Sequence, residues 1–191
     1  ITFTFLFISV NVEVFLLITY FESREVIKEE ESKVAKGILN YPTVSIHVPC
    51  WNEESTVIKT VHSLLELDYP KDKLKILVVD DGSTDKTWVN IQEFKGHPQI
   101  DIYRKANGGK YTALNFGLSK INSDLVGCLD ADSYVEADAL KKIVTYFEDK
   151  EIMAVAPSIK LWQPKGILQT LQRVEDGVGI FTRKMFHYMQ A

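Results

Sequence analysis

Cysteine is nearly absent from this 191-residue sequence: there are two, Cys50 and Cys128, and they form no CxxC pair. That excludes a disulfide-stapled scaffold, and both thiols read as reduced and structural, as in a cytosolic domain. An excess of one charge is lacking too. The 22 Lys and Arg stand against 26 Asp and Glu, for a net charge of −4 and a pI near 5.6. No general nucleic-acid footprint fits that balance, so no nucleic acid is expected as a partner. Repeats and low-complexity tracts are missing as well. What is there is 46% hydrophobic and 25% charged, enough for one folded domain with a full core. The first residue is Ile1 and Ala191 falls inside a helical pattern, so the chain reads as a piece of something longer.

Long hydrophobic runs are confined to one place. Residues 1–21, "ITFTFLFISVNVEVFLLITYF", carry a single charge, Glu13. As a helix they would extend roughly 31 Å, enough to cross a bilayer core. A cleaved leader does not fit, since there is no basic start, no short core and no A-x-A site. A membrane span is therefore expected here, with Glu13 neutral or hydrogen-bonded, because an unpaired carboxylate there costs a few kcal/mol. Residues 22–41 read as a charged linker. Its Arg24, Lys28, Lys33 and Lys36 favour the cytosolic side, making this an integral membrane protein of the plasma membrane with a cytosolic domain.

From Tyr41 onward the pattern alternates. Strands are expected at 43–49, 74–80, 100–104, 125–129 and 152–157. Helices are expected near 53–66, 85–95, 110–121 and 136–148. "LKILVVDD" is apolar without a break, as in strands buried on both faces of a parallel sheet. The alternation predicts a doubly wound α/β sheet with right-handed crossovers. At the end, Leu168, Leu171, Val174, Val178, Phe181, Met185 and Tyr188 recur at three- and four-residue steps. That predicts an amphipathic helix over 161–191, on the domain core or in the membrane interface.

The polar motifs fall where strands end, which is where such sheets gather ligands. Asp130 and Asp132 follow "LVGCL" one residue apart. If both stand on a strand they point the same way, and two hard oxygens suit Mg²⁺ or Mn²⁺, which usually finish their shell with water and phosphate. D-x-D alone is a weak signal, and Asp132 could instead cap the following helix. "VVDDGSTDKT" places Asp80 and Asp81 at a second strand end, where a carboxylate can accept from a nucleobase imide or a ribose hydroxyl. "PCWNE" offers Pro49, Asn52 and Glu53. "NGGKYTALN" opens a helix with Gly108 and Gly109, whose amides can approach a phosphate, beside the charge of Lys110.

Together, "VSIHVPCWNE", "ILVVDDGSTDKT", "NGGKYTALNFGL" and "CLDADS", in this order, resemble the family 2 glycosyltransferases of the GT-A fold. The resemblance runs from about Tyr41 to Pro157. It implies an α/β, Rossmann-like, mostly parallel sheet flanked by helices, with residues 42–160 binding a nucleotide-sugar, commonly UDP-linked. It further implies that Pro49, Asn52 and Glu53 line the nucleoside pocket, that Asp80 or Asp81 contacts uracil, and that Gly109 and Lys110 lie by the pyrophosphate. Asp130 and Asp132 would hold the diphosphate's metal, with Asp130 also close to the sugar. A span before such a domain resembles membrane synthases of the poly-N-acetylglucosamine, hyaluronan or cellulose type, with a polysaccharide or lipid-linked acceptor and inversion at the anomeric carbon. A non-processive lipid glycosyltransferase and a non-catalytic nucleotide-binding scaffold are the rivals. The sequence departs from the family at Cys50-Trp51, where Tyr or a small polar residue is usual. It also shows no Thr-Glu-Asp or Gln-x-x-Arg-Trp motif; Glu175-Asp176 reads as a surface face, and the catalytic base is expected beyond Ala191.

Overall fold

The computed structural model describes residues 2–22, 24, 28, 32, 40–159 and 166–188. They divide into two compact units, one within residues 37–153 and the other drawn from residues 1–36 and 154–191.

The unit within 37–153 is built on a parallel sheet. Strands β1 (Val44–Cys50), β2 (Leu74–Asp80), β3 (Ile100–Arg104) and β4 (Leu125–Cys128) lie in the order β3-β2-β1-β4, and every pairing is parallel. β1 and β2 are central, and Lys75 is the one exposed residue in them. Continuous burial is why their sequences run apolar rather than alternating. Alternate side chains nonetheless serve different layers. Val44, Ile46, Val48, Leu74, Ile76 and Val78 pack on one face with α2 (Val57–Leu65), α3 (Thr87–Ile91) and its 3-10 extension Gln92–Phe94. Leu140 and Val144 join that layer. They belong to the helix Ala139–Tyr146, which is α5 because α4 (Lys110–Leu118) precedes it. Val57, Val61 and Leu64 form the buried stripe of α2, each such side chain contributing about 1.5–3 kcal/mol on burial. Leu77 and Val79 point to the other face and meet Ala113 and Phe116 of α4.

The chain thus steps from β1 to β2 to β3 with α2 and α3 on one face. It then crosses back to β4, on the far side of β1, through α4 on the other face. That reversal puts a switch point between the C-terminal ends of β1 and β4, where open α/β sheets part to form a crevice. Two residues make it possible. Gly117 lets α4 press onto β1, because a Cβ there would lie 2.3 Å from the His47 ring. His47 is buried beneath it, its Nε2 has no hydrogen-bond partner, and burial pushes its pKa below the usual 6.5. Pro49 sits in a central strand without losing a ladder bond. Asp81 N donates to Cys50 O at 2.9 Å, so Cys50 pairs toward β2 and Pro49 faces the opposite side, where β4 has already ended at Cys128.

In the second unit, α1 (Thr2–Glu22) and α6 (Ile167–Tyr188) lie against each other. The expected helix over 1–21 is there. The expected membrane span is corrected: among the described residues, no helix is long and apolar enough to cross a membrane. Asn11 and Glu13 interrupt the apolar run at its middle. Their polar groups turn back onto their own helix, Asn11 Nδ2 donating to Phe7 O at 2.7 Å and Ser9 Oγ to Glu13 Oε1 at 3.5 Å. Most of the linker read over 22–41 lies outside the described residues, as do residues 160–165 of the C-terminal segment. α6 continues through Gly177 and Gly179, with Leu168, Leu171, Val174 and Val178 exposed.

Three smaller corrections concern the first unit and its border. The strand read at 152–157 does not form; residues 152–159 carry no regular structure, and the ladder of β4 runs to β1 alone among the described residues. α5 begins three residues later than expected. Cys50 is buried and burial pushes its thiol pKa up, but Cys128 is exposed on the edge strand rather than part of a core. Both thiols are free.

Candidate functional site

A cleft of about 360 Å³ opens at the C-terminal ends of β1 and β4. Pro49, Trp51 and Glu53 line it from the β1 exit and Asp81 from the β2 exit. Asn107, Gly109 and Lys110 come from the entry to α4, and Asp130, Ala131 and Asp132 from the β4 exit. Of the residues singled out in the sequence, Pro49, Glu53, Asp81, Gly109, Lys110, Asp130 and Asp132 share this cleft. Asn52 and Asp80 do not line it.

The adjacent acids Asp80 and Asp81 part because strand neighbours point to opposite sides. Asp80 is fully buried. Its Oδ1 accepts from Ser83 N at 3.0 Å. Its Oδ2 lies 3.0 Å from Arg104 Nε, a charge contact whose N–H is not aligned as a hydrogen bond. Arg104 in turn stacks over Trp88 and donates to Ser83 O. Asp80 therefore folds the β2 turn. Asp81 faces the cleft floor, where Oδ1 accepts from Lys105 Nζ at 2.5 Å and Oδ2 from Gly109 N at 2.8 Å, with Gly108 N at 3.2 Å from Oδ1. It ties the β2 turn to the loop before α4. Gly82 permits that approach, since its φ is +71° and a Cβ there would lie 2.7 Å from Asn107 N.

Asn52 is a brace. Held at φ +56°, its Oδ1 accepts from Thr84 N at 2.9 Å and its N–H donates to Ser83 Oγ at 2.9 Å. It joins the β1 and β2 turns and lies outside the cleft lining. Glu53 begins α2: its carbonyl accepts from Val57 N at 3.1 Å, its N–H donates to Thr87 Oγ1, and its Oε2 accepts from Thr56 Oγ1.

The β4 exit is built differently. The strand ends at Cys128, so Asp130 and Asp132 are not brought together by a strand's pleat. Ala131 is buried and its carbonyl accepts from Thr60 Oγ1 at 2.8 Å. Pinning the middle residue of D-x-D leaves the flanking carboxylates on the cleft wall. Asp132 does not cap α5, which starts at Ala139 behind Asp138. Its carboxylate accepts from Ser133 Oγ at 3.3 Å. Lys110 Nζ donates to Asp130 Oδ1 at 2.6 Å, both side chains more than half exposed, and Asp130 pushes the ammonium's pKa above its usual range. Among the described residues, no group of three or more His, Cys, Asp or Glu is placed to hold a metal. Two oxygen-donor carboxylates on an open cleft fit Mg²⁺ or Mn²⁺, which would take its remaining ligands from water and phosphate.

Two participants were missed from sequence. Lys105 donates to Asp81, Ala106 O and Thr112 Oγ1, and its only signal was a cation just before "NGGK". Asn107 lines the cleft without standing out from the loop around it.

Comparison with known proteins bears on the family and the fold. The model of glycosyl transferase family 2 matches residues 45–188. A beta-monoglucosyldiacylglycerol synthase of Synechocystis is 40% identical over 111 residues, 56% of this chain and 23% of that protein. A poly-beta-1,6-N-acetyl-D-glucosamine synthase of Staphylococcus epidermidis is 34% identical over 134 residues, 69% of this chain and 32% of that protein. The chain thus spans between a fifth and a third of these relatives. Among solved structures, S. aureus TarS in complex with UDP superposes with a TM-score of 0.58 at 23% identity, over 65% of this chain and 38% of that one. A mannosyltransferase from Pyrobaculum calidifontis, in complex with GDP-Man and Mn²⁺, gives 0.55 at 24% identity, over 79% and 46%. These structural likenesses establish a shared GT-A-like fold.

Proposed function

Because this chain belongs to glycosyl transferase family 2, we propose that its cleft binds a nucleotide-sugar, with UDP as the nucleotide, and presents it for sugar transfer. The observation that carries this is convergence. Loops from β1, β2, β4 and the entry to α4 bring Pro49, Glu53, Asp81, Gly109, Lys110, Asp130 and Asp132 to one cleft, at the switch point where such sheets bind ligands.

Asp81, rather than Asp80, is the acid placed to meet the nucleoside. Lys105 and the Gly108 and Gly109 amides, Gly108 N reaching both oxygens, take three of about four acceptor positions, and the remaining capacity suits an imide or hydroxyl. Pro49, Trp51 and Glu53 form the wall on that side. Gly109 caps α4, but its amide and that of Gly108 are taken by Asp81, so a phosphate would meet the amides that follow at the helix N-terminus, with Lys110 as a further donor. Asp130 and Asp132 would hold Mg²⁺ or Mn²⁺. When bound, that ion neutralises charge developing on the departing diphosphate. Inversion requires an acceptor hydroxyl and a base on the opposite side of the sugar. The four cleft acids Glu53, Asp81, Asp130 and Asp132 are assigned elsewhere, so residues 1–191 are expected to bind donor and metal while turning over little sugar.

The relatives named above are synthases of a glycolipid and of a polysaccharide, and the proposed acceptor is a polysaccharide or lipid-linked sugar at the cytosolic face of a membrane. The exposed apolar side chains of α1 and α6 accord with membrane association. Titration calorimetry with UDP, with and without Mn²⁺, tests the proposal. Mn²⁺-dependent binding that is lost in Asp132→Ala supports it. Wild-type protein that binds no UDP at all supports a non-catalytic scaffold instead.

A further inference from the structure

Two lysines flank the Gly108-Gly109 turn, and they are held in opposite ways. Lys105 is mostly buried and donates to three oxygens. Lys110 has one ion pair, to Asp130, with 58% and 53% of the two side chains exposed. An exposed pair of this kind is weak and easily exchanged. Its backbone is fixed at the first position of α4, but four methylenes let the ammonium swing. Its present partner is one of the two carboxylates that suit a divalent cation. The ammonium takes one lone pair of Asp130 Oδ1 and sets a positive charge beside the carboxylate, so it competes there with a cation.

We propose that Lys110 is a displaceable counter-ion of the β4 carboxylates, holding divalent metal off Asp130 until a diphosphate draws the ammonium away. The inference rests on the donor-cleft reading above and deepens it, since it makes metal and nucleotide enter together. The diphosphate offers Lys110 more negative charge than Asp130 does, so the exchange runs in that direction. Free metal in the absence of nucleotide is then bound less tightly than two open carboxylates would allow.

Mn²⁺ titrations of the full chain, followed by electron paramagnetic resonance with and without UDP, test this. Lys110→Met should bind Mn²⁺ alone about three- to tenfold more tightly than wild type, and Lys110→Arg should stay near wild type. Lys142→Met removes an equal charge at a surface i,i+4 pair with Asp138 and should change nothing. With UDP present the gain from Lys110→Met should vanish, so the coupling between UDP and Mn²⁺ falls by the same factor. Equal or weaker Mn²⁺ binding by Lys110→Met, in a protein whose wild type still binds UDP with Mn²⁺, overturns the counter-ion role and leaves the cleft intact. A matching gain in Lys142→Met also overturns it, as a net-charge effect. Absence of Mn²⁺-dependent UDP binding in wild type sinks both readings.

Discussion

The exits of β2 and β4 both carry two closely spaced acids, and the protein uses them in opposite ways. At β2, Asp80 and Asp81 are almost wholly buried, and backbone amides, Arg104 and Lys105 surround them. At β4, Asp130 is half exposed with one lysine partner, and Asp132 is exposed with a long contact to Ser133. Asp80, closed in by the fold, supports the loops, and Asp81 does so too while keeping one edge on the cleft floor. A carboxylate whose lone pairs face an open cleft is available to a ligand. Acid count alone does not separate the two cases; the register of the strands does.

Substitutions should divide along the same line. The largest effect on stability is expected from Asp80→Ala, which strands the Ser83 amide and Arg104 beside a buried gap. A loss of about 3 kcal/mol in urea unfolding is expected; a loss under 0.5 kcal/mol would erase the contrast. Next comes Gly117→Ala, whose methyl must displace the His47 ring. Overpacking of that kind costs about 1–3 kcal/mol, and by tilting α4 it should weaken UDP binding as well. Asp132→Ala is the counterpart to Asp80→Ala. Its stability should stay within about 0.5 kcal/mol of wild type, while Mn²⁺-dependent UDP affinity falls at least about tenfold, near 1.4 kcal/mol.

The smallest effect concerns His47 and pH. Its folded pKa is depressed below 6.5, so between that value and 6.5 the unfolded chain takes up a proton that the folded chain does not. The stabilisation is fully present above pH 6.5 and is lost as pH falls through the folded value. Unfolding measured from pH 7.5 down to 5 should therefore show a decline that His47→Gln flattens. A decline of equal slope in both proteins would assign it to other groups.

Much of the scaffold was legible in the sequence because short β-branched runs such as "LKILVVD" favour strands buried on two faces. The strands at 44–50, 74–80, 100–104 and 125–128 follow those runs to within a residue. The run at 152–157 reads the same way but pairs with no strand among the described residues, and a strand is a property of its neighbours. Choosing between Asp80 and Asp81 was impossible from sequence, because adjacent residues differ only in which way the strand turns them. Asn52 looked like a ligand group because its hydrogen bonds to the β2 turn lie 31 and 32 residues away. For Asp130 and Asp132 the cleft was anticipated but its cause was not. A buried Ala131, rather than a strand pleat, leaves both on the cleft lining.

On the proposed reading, these loops form one donor cleft with its cation at the β4 exit. Anomalous scattering from crystals grown with UDP and Mn²⁺ tests it most directly. One manganese peak is expected within bonding distance of a carboxylate oxygen of Asp130 or Asp132 and of a UDP phosphate, with Asp81 facing the nucleoside. Nucleotide bound elsewhere, or manganese seated at Asp80 and Asp81, would contradict it.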